Sequence, residues 1–184
     1  VDRVLELDDI HSLDFVYATV RLTRADLPSH IPLIGFAGAP FTLASYAIEG
    51  GSSRNYLHTK TLMYRDEGAW CTLMERFVRA ITRYLNAQIA AGAQCVQLFD
   101  SWVGTLGPED YRRYLLPHVA AIIQGITPGV PVITFAPGNP ALLPPISQPR
   151  GPVCGLDWRS RPDPPLDARP HRQGSHANPP PRGQ

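Results

Sequence analysis

The chain has almost no net charge: among its 184 residues, 17 Lys and Arg face 16 Asp and Glu, which leaves +1 at neutral pH. A nucleic-acid partner or an anionic membrane draws its affinity from a basic surface, and this balance argues for neither. Long apolar runs are also missing. None approaches the roughly 20 residues that a membrane span requires, and the opening Val1-Asp-Arg-Val-Leu-Glu-Leu-Asp-Asp9 has no apolar signal core. There is no initiator Met, so the chain is expected to begin inside a longer protein. Cysteine is scarce. Cys71, Cys95 and Cys154 are odd in number and far apart, which excludes a disulfide framework and a CxxC metal site. Each has apolar neighbours and reads as a buried free thiol, in keeping with a reducing, cytoplasmic setting. The histidines (His11, His30, His58, His118, His171 and His176) include no i,i+4 pair and no neighbour of a Cys, so no zinc site is expected. No GxGxxG or GxxxxGK[ST] cradles a nucleotide phosphate. Ser101 lies in Asp-Ser-Trp-Val-Gly rather than in the GxSxG elbow of a hydrolase, which disfavours a serine nucleophile.

What is abundant is proline. The chain carries 20, and 13 of them fall between Pro137 and Pro181, which divides the sequence into two regimes. Residues 1–159 read as an α/β domain. Residues 160–184 hold a single large apolar residue, Leu166, and are expected to be a disordered tail, because such a segment cannot bury a core. Its Pro/Arg/His composition fits a natural linker, and it equally fits a frameshifted reading of a GC-rich gene.

Within 1–159 the hydrophobic periodicity alternates between two kinds. Leu13 to Arg24 repeats apolar residues on one helical face, with Ser12 as the N-cap and Pro28 as the stop. Ile31 to Phe36 is a short apolar run suited to a buried strand. Pro40 opens a short helix over Phe41 to Ile48. Tyr56 to Tyr64 and then Asp66 to Ala91 read as helices, the second with an apolar stripe of Trp70, Leu73, Met74, Phe77, Val78, Ile81, Tyr84, Leu85 and Ile89, closed by Gly92. Cys95 to Phe99 is a strand. Pro108 starts a helix to about Gly125 with Pro117 as a kink. Val130 to Phe135 is a strand, Ala141 to Ile146 a weaker helix, and Val153 to Leu156 a fourth strand. Alternating strands and helices imply parallel pairing with right-handed crossovers, which a barrel and an open sheet both satisfy. About four β/α units are present. A closed (β/α)8 barrel needs eight and usually about 250 residues, so a barrel here is about half of one.

In both architectures function gathers where strands end. Those ends are Phe36-Ala-Gly-Ala39, Phe99-Asp-Ser-Trp102, Phe135-Ala-Pro-Gly138 and Asp157-Trp-Arg159. Ser101 can hydrogen-bond a ligand there or serve as a turn residue. Tyr46, about a turn and a half beyond Pro40, can turn its phenol over the strand ends or pack as an amphipathic core residue. Asp100 can hold a cation or a substrate N–H, or cap the turn that follows. Arg54 can meet an anion or stay solvated.

The stretch Ile31-Pro-Leu-Ile-Gly-Phe-Ala-Gly-Ala-Pro-Phe-Thr-Leu-Ala-Ser-Tyr-Ala-Ile-Glu-Gly-Gly51 resembles the uroporphyrinogen decarboxylase family. So do Tyr84 to Gly104, Pro108 to Pro117 and Gly155-Leu-Asp-Trp-Arg159, in the same order. The resemblance implies an interior piece of a (β/α)8 barrel, in a family that is homodimeric at full length and uses no metal or organic cofactor. Its substrate is a porphyrinogen, whose four acetate side chains lose carbon dioxide to become methyl groups. Matched position by position, Tyr46 corresponds to the family's active-site tyrosine, Ser101 to its substrate-binding serine, and Phe99 to a residue lining the same cleft. The family's arginine-rich N-terminal segment, its pyrrole-binding aspartate and its C-terminal active-site histidine have no counterpart here. The chain is therefore expected to be inactive alone. A sister group with the same barrel transfers methyl groups through zinc held by a His-x-Cys motif. The corresponding Thr134-Phe-Ala136 has neither ligand.

Overall fold

A computed structural model describes residue 7 and residues 10–148, 152–156 and 176–177. After a 3-10 turn at Ile10–Leu13, the elements are α1 (Asp14–Asp26), β1 (Ile34–Gly38), α2 (Pro40–Glu49), α3 (Leu57–Arg65), α4 (Glu67–Ala90) and β2 (Cys95–Phe99). There follow α5 (Pro108–Tyr114), α6 (Leu116–Gly125), β3 (Val132–Phe135), α7 (Leu143–Ile146), β4 (Pro152–Leu156) and a two-residue β5 (His176–Ala177).

The strands lie in the order β1-β2-β3-β4-β5, and every pair is parallel. That order decides between the two architectures left open by the sequence. A doubly wound sheet reverses its strand order at a switch point; here each strand is simply added beside the last, as in the wall of a barrel. The chain forms an α/β partial barrel.

Strand side chains alternate between two faces. On one, Ala37, Val96, Leu98 and Val132 are buried against Ile81 and Leu85 of α4 and Val119 and Ile122 of α6. On the other, Ile34 and Phe36 are 45% and 59% exposed. Register aligns Gly38, Phe99, Phe135 and Gly155 in one row across four strands. A second core beyond the strand ends gathers Phe41, Tyr56, Met63, Trp70, Leu73, Met74, Tyr111 and Leu142 from the surrounding helices and loops.

Several boundaries differ from expectation for local reasons. Ser12 does not cap α1, whose N-cap is Leu13 with no side-chain cap; Ser12 belongs to the preceding 3-10 turn. β1 starts at Ile34, since Pro32 has no N–H for a ladder. The single helix expected over 108–125 is two, broken at Leu115, where φ is −128°. Pro117 sits in the first turn of α6, and its ring and missing N–H bar it from continuing α5. The weaker helix divides into a 3-10 turn at Pro140–Leu142 and the four-residue α7. Cys71 and Cys95 are free thiols, and all three cysteines are only partly buried. The expectation of disorder over 160–184 falls outside the described residues, apart from His176 and Ala177, which pair with Gly155 and Leu156. Among the described residues no helix is long and apolar enough to cross a membrane.

Candidate active site

The strand ends meet as the alternation predicts. β1 stops at Gly38, Ala39 is the N-cap of α2, and Pro40 occupies its first turn, where a missing N–H costs nothing. The Ala39 N–H continues the ladder to the Phe99 carbonyl at 2.9 Å, and the Asp100 N–H reaches the Phe135 carbonyl at 2.8 Å. The tips of three strands are thus bound to one another. Gly104, in the loop after β2, lies so close to the next loop that a Cβ there would stand 2.5 Å from the Pro137 carbonyl oxygen. The Asn139 amide adds a 2.9 Å bond to the Leu106 carbonyl.

Phe99 points to the open face of the sheet, partly buried. Its ring meets Phe36 edge-on at 5.8 Å and Phe135 edge-on at 6.1 Å, forming a row of three phenylalanines. Gly155 makes room for that row: a Cβ there would stand 3.0 Å from the Phe135 ring. Ser101 follows β2 and is exposed. Tyr46, on α2, is 46% exposed, and its ring meets Trp102 edge-on at 6.1 Å. Tyr46 is therefore joined through Trp102 to the segment that carries Ser101. The three residues matched through the resemblance lie on two adjoining elements at one end of the sheet, and Arg54 is exposed in the loop after α2. The Asp157-Trp-Arg159 strand end falls outside the described residues.

The Asp100 carboxyl does not cap the turn that follows it. It is buried, and its Oδ1 accepts the Thr42 hydroxyl at 2.8 Å. Burial raises its pKa to about 7, although hydrogen bonds from the Thr42 side chain and backbone pull it down. Asp100, Thr134 and Tyr111 line a small cavity of about 10 Å³ with Ala39, Leu98 and Ile146, room for a single water. The Thr134 hydroxyl there is buried without a protein partner. Burial, and then the charge of Asp100, push the Tyr111 phenol above its ordinary pKa.

Trp102 also meets a second tyrosine, Tyr56, whose ring is tilted by 32° at 5.7 Å. Tyr56 has φ 52° and ψ 43°, a left-handed conformation that few non-glycine residues adopt. The Ser53 hydroxyl accepts its N–H at 3.0 Å, and Glu49 accepts both the N–H and the hydroxyl of Thr59 at 3.0 and 3.1 Å, tying α2 to the start of α3. Sequence reasoning placed Phe36, Trp102 and Phe135 among the strand ends where function gathers but gave them no role, and it did not single out Thr42. Trp102 adjoins Ser101, and the two phenylalanines close their strands' apolar runs, but only the register shows that the rings meet.

Comparison with known proteins agrees with this architecture. The family model described as "Uroporphyrinogen decarboxylase (URO-D)" matches residues 1–174. A uroporphyrinogen decarboxylase of Thermus thermophilus is 52% identical over 158 residues, 85% of this chain and 46% of the relative. One of Carboxydothermus hydrogenoformans is 48% identical over 160 residues, 86% of this chain and 46% of the relative. One of Sorangium cellulosum is 47% identical over 175 residues, 95% of this chain and 49% of the relative. The chain thus spans about half the length of the curated relatives it matches. The family match runs past Arg159, beyond the motifs that carry the resemblance in sequence. The chain belongs to the uroporphyrinogen decarboxylase family.

Proposed function

We propose that this chain forms one wall of the substrate cleft of a uroporphyrinogen decarboxylase, and that it does not complete the reaction alone. The reaction is the cofactor-free conversion of uroporphyrinogen III to coproporphyrinogen III in porphyrin biosynthesis, in the cytoplasm. A pyrrole ring protonated on carbon becomes an electron sink. Each acetate then releases its carboxylate as carbon dioxide, the electron pair enters the ring, and a proton delivered to the remaining carbon gives the methyl group. The protein must hold the macrocycle, offer hydrogen bonds and stabilise a cationic intermediate.

The observation that carries this reading is the open row of Phe36, Phe99 and Phe135, with Tyr46 and Ser101 at the same end of the sheet. Aromatic edges and faces suit a broad macrocycle. The Tyr46 phenol and Ser101 hydroxyl supply neutral hydrogen bonds at its rim. The many substrate carboxylates need guanidinium partners, which the resemblance places in family segments without a counterpart in these 184 residues. Titration of the chain with uroporphyrin, followed by tryptophan quenching, tests the binding half. Phe99→Ala should weaken the Kd about tenfold, the loss of one ring's contact. Equal binding by Phe99→Ala and by Tyr46→Phe would remove this face from the site.

A further inference from the structure

Helix α2 begins without a cap of its own. Its N-cap is Ala39, whose methyl group accepts no hydrogen bond, although the first turn of every helix has backbone N–H groups to satisfy. The first turn is instead tied to another strand: Asp100, one residue past β2, accepts the hydroxyl hydrogen of Thr42, the third residue of α2, at 2.8 Å. A carboxyl at that position also faces the positive end of the helix. The Thr42 oxygen in turn accepts the Trp102 N–H at 3.4 Å. One hydroxyl therefore links Asp100 and Trp102, the two residues on either side of Ser101.

The same link governs Tyr46. It lies four residues beyond Thr42, one turn further along α2 and on the same face, and its ring rests on Trp102. A displacement of α2 relative to the β2 loop would disturb the contact of Tyr46 with Trp102, the neighbour of Ser101. Neither Tyr46 nor Ser101 contributes to the bond that fixes this relation.

We propose that the Asp100–Thr42 pair is the positioning device of this site: by tying the first turn of α2 to the end of β2 it holds Tyr46 on Trp102, beside the loop that carries Ser101. The proposal rests on the assignment of Tyr46 and Ser101 to a porphyrinogen cleft. It adds two residues that touch no substrate.

Thr42→Val keeps the volume and removes the hydroxyl. In NMR spectra of the full chain, the Tyr46 ring and Trp102 indole resonances should broaden or shift in this variant, while those of Trp70, enclosed in the second core, stay in place. Its Kd for uroporphyrin should weaken about tenfold, the worth of one such bond, and Thr42→Ser should restore it. Asp100→Asn keeps an acceptor but abolishes ionisation, so any titration of the Tyr46 and Trp102 signals with a midpoint near pH 7 should vanish. Thr42 on α2, Tyr111 on α5 and Thr134 on β3 are the polar groups around that carboxyl, with Cys154 of β4 adjoining Tyr111. Unmoved Tyr46 and Trp102 signals in Thr42→Val would overturn the proposal. If that variant does not fold, a titration that persists in Asp100→Asn overturns it instead. A wild-type chain that does not bind uroporphyrin would defeat the assignment of the cleft, and the resonances alone would then decide the positioning role.

Discussion

The Gln88 carboxamide pairs with both backbone polar groups of Phe36: its Oε1 accepts the Phe36 N–H at 3.1 Å, and its Nε2 donates to the Phe36 carbonyl at 3.0 Å. The ladder bond from the Ala39 N–H to Phe99 turns the odd-numbered amides of β1 toward β2, so Phe36 directs its N–H and C=O to the sheet's edge. A side chain from α4 thus satisfies, at mid-strand, the groups that a neighbouring strand would otherwise pair. Exposed strand edges invite association with other chains, and this amide blocks the edge at its centre.

Gln88→Leu preserves volume and removes both bonds. Chemical denaturation should show a loss of about 1–3 kcal/mol, the cost of leaving backbone groups unpaired. Light scattering should rise at concentrations where the wild type stays clear. An unchanged midpoint with no added scattering would show that the edge needs no cover.

Asp100 makes stability depend on pH in an unusual direction. Its native pKa of about 7 lies above the ordinary 3.8, so the native state binds the proton more tightly than the unfolded chain. The stability it contributes is complete below about pH 4 and is lost as pH rises through 7. At about 1.4 kcal/mol per unit, the span is on the order of 4 kcal/mol. Glu49 acts in the opposite sense: burial would raise its pKa, but the bonds from Thr59 outweigh that and lower it, so its contribution is lost on acidification. Comparing the Tm of wild type and Asp100→Asn across pH 4–8 cancels the Glu49 effect. The wild type should lose ground to the variant as pH rises, and parallel curves would contradict this.

At Tyr56 two effects compete. Glycine would relieve the left-handed backbone, worth about 1 kcal/mol, but would delete a ring that is 3% exposed and packed on Phe41 and Trp102. Losing a buried aromatic costs about 3–5 kcal/mol. Tyr56→Gly should therefore be less stable by about 2–4 kcal/mol in urea titration, and a gain in stability would mean that the strain dominates.

Gly104→Ala tests the loop contact above β2 and β3. The added methyl meets a backbone carbonyl rather than a yielding side chain, so a loss of about 1–3 kcal/mol is expected. A calorimetric Tm equal to the wild type would show that the two loops part freely.

The strands were readable because their apolar runs are short and bounded by Gly and Pro, and β2 falls at Cys95–Phe99 as expected. Strand order was not readable: alternation implies parallel pairing but says nothing of which neighbour a strand takes. In α4 the apolar stripe appears as expected at Trp70, Leu73, Met74, Ile81 and Leu85, and it also buries Gln88. A polar residue in that stripe has a partner 52 positions away in the sequence, which periodicity cannot register. For Asp100 the sequence left a ligand role and a cap of its own turn both open, because sequence pairs neighbours; its carboxyl bonds the Thr42 hydroxyl of a helix that begins 60 residues earlier. Tyr46 and Ser101 were candidates from their place at the strand ends, and the resemblance supplied their expected roles and that of Phe99, whereas the phenylalanine row needed the register between strands.

As proposed, this chain carries a wall of the porphyrinogen cleft but not the whole catalytic apparatus. The most direct test is anaerobic incubation of the purified chain with uroporphyrinogen III, followed by oxidation and chromatographic separation of the products by carboxyl number. The account predicts uroporphyrin as the only product, at the level of a protein-free control. Coproporphyrin, or any partly decarboxylated intermediate above that control, would contradict it.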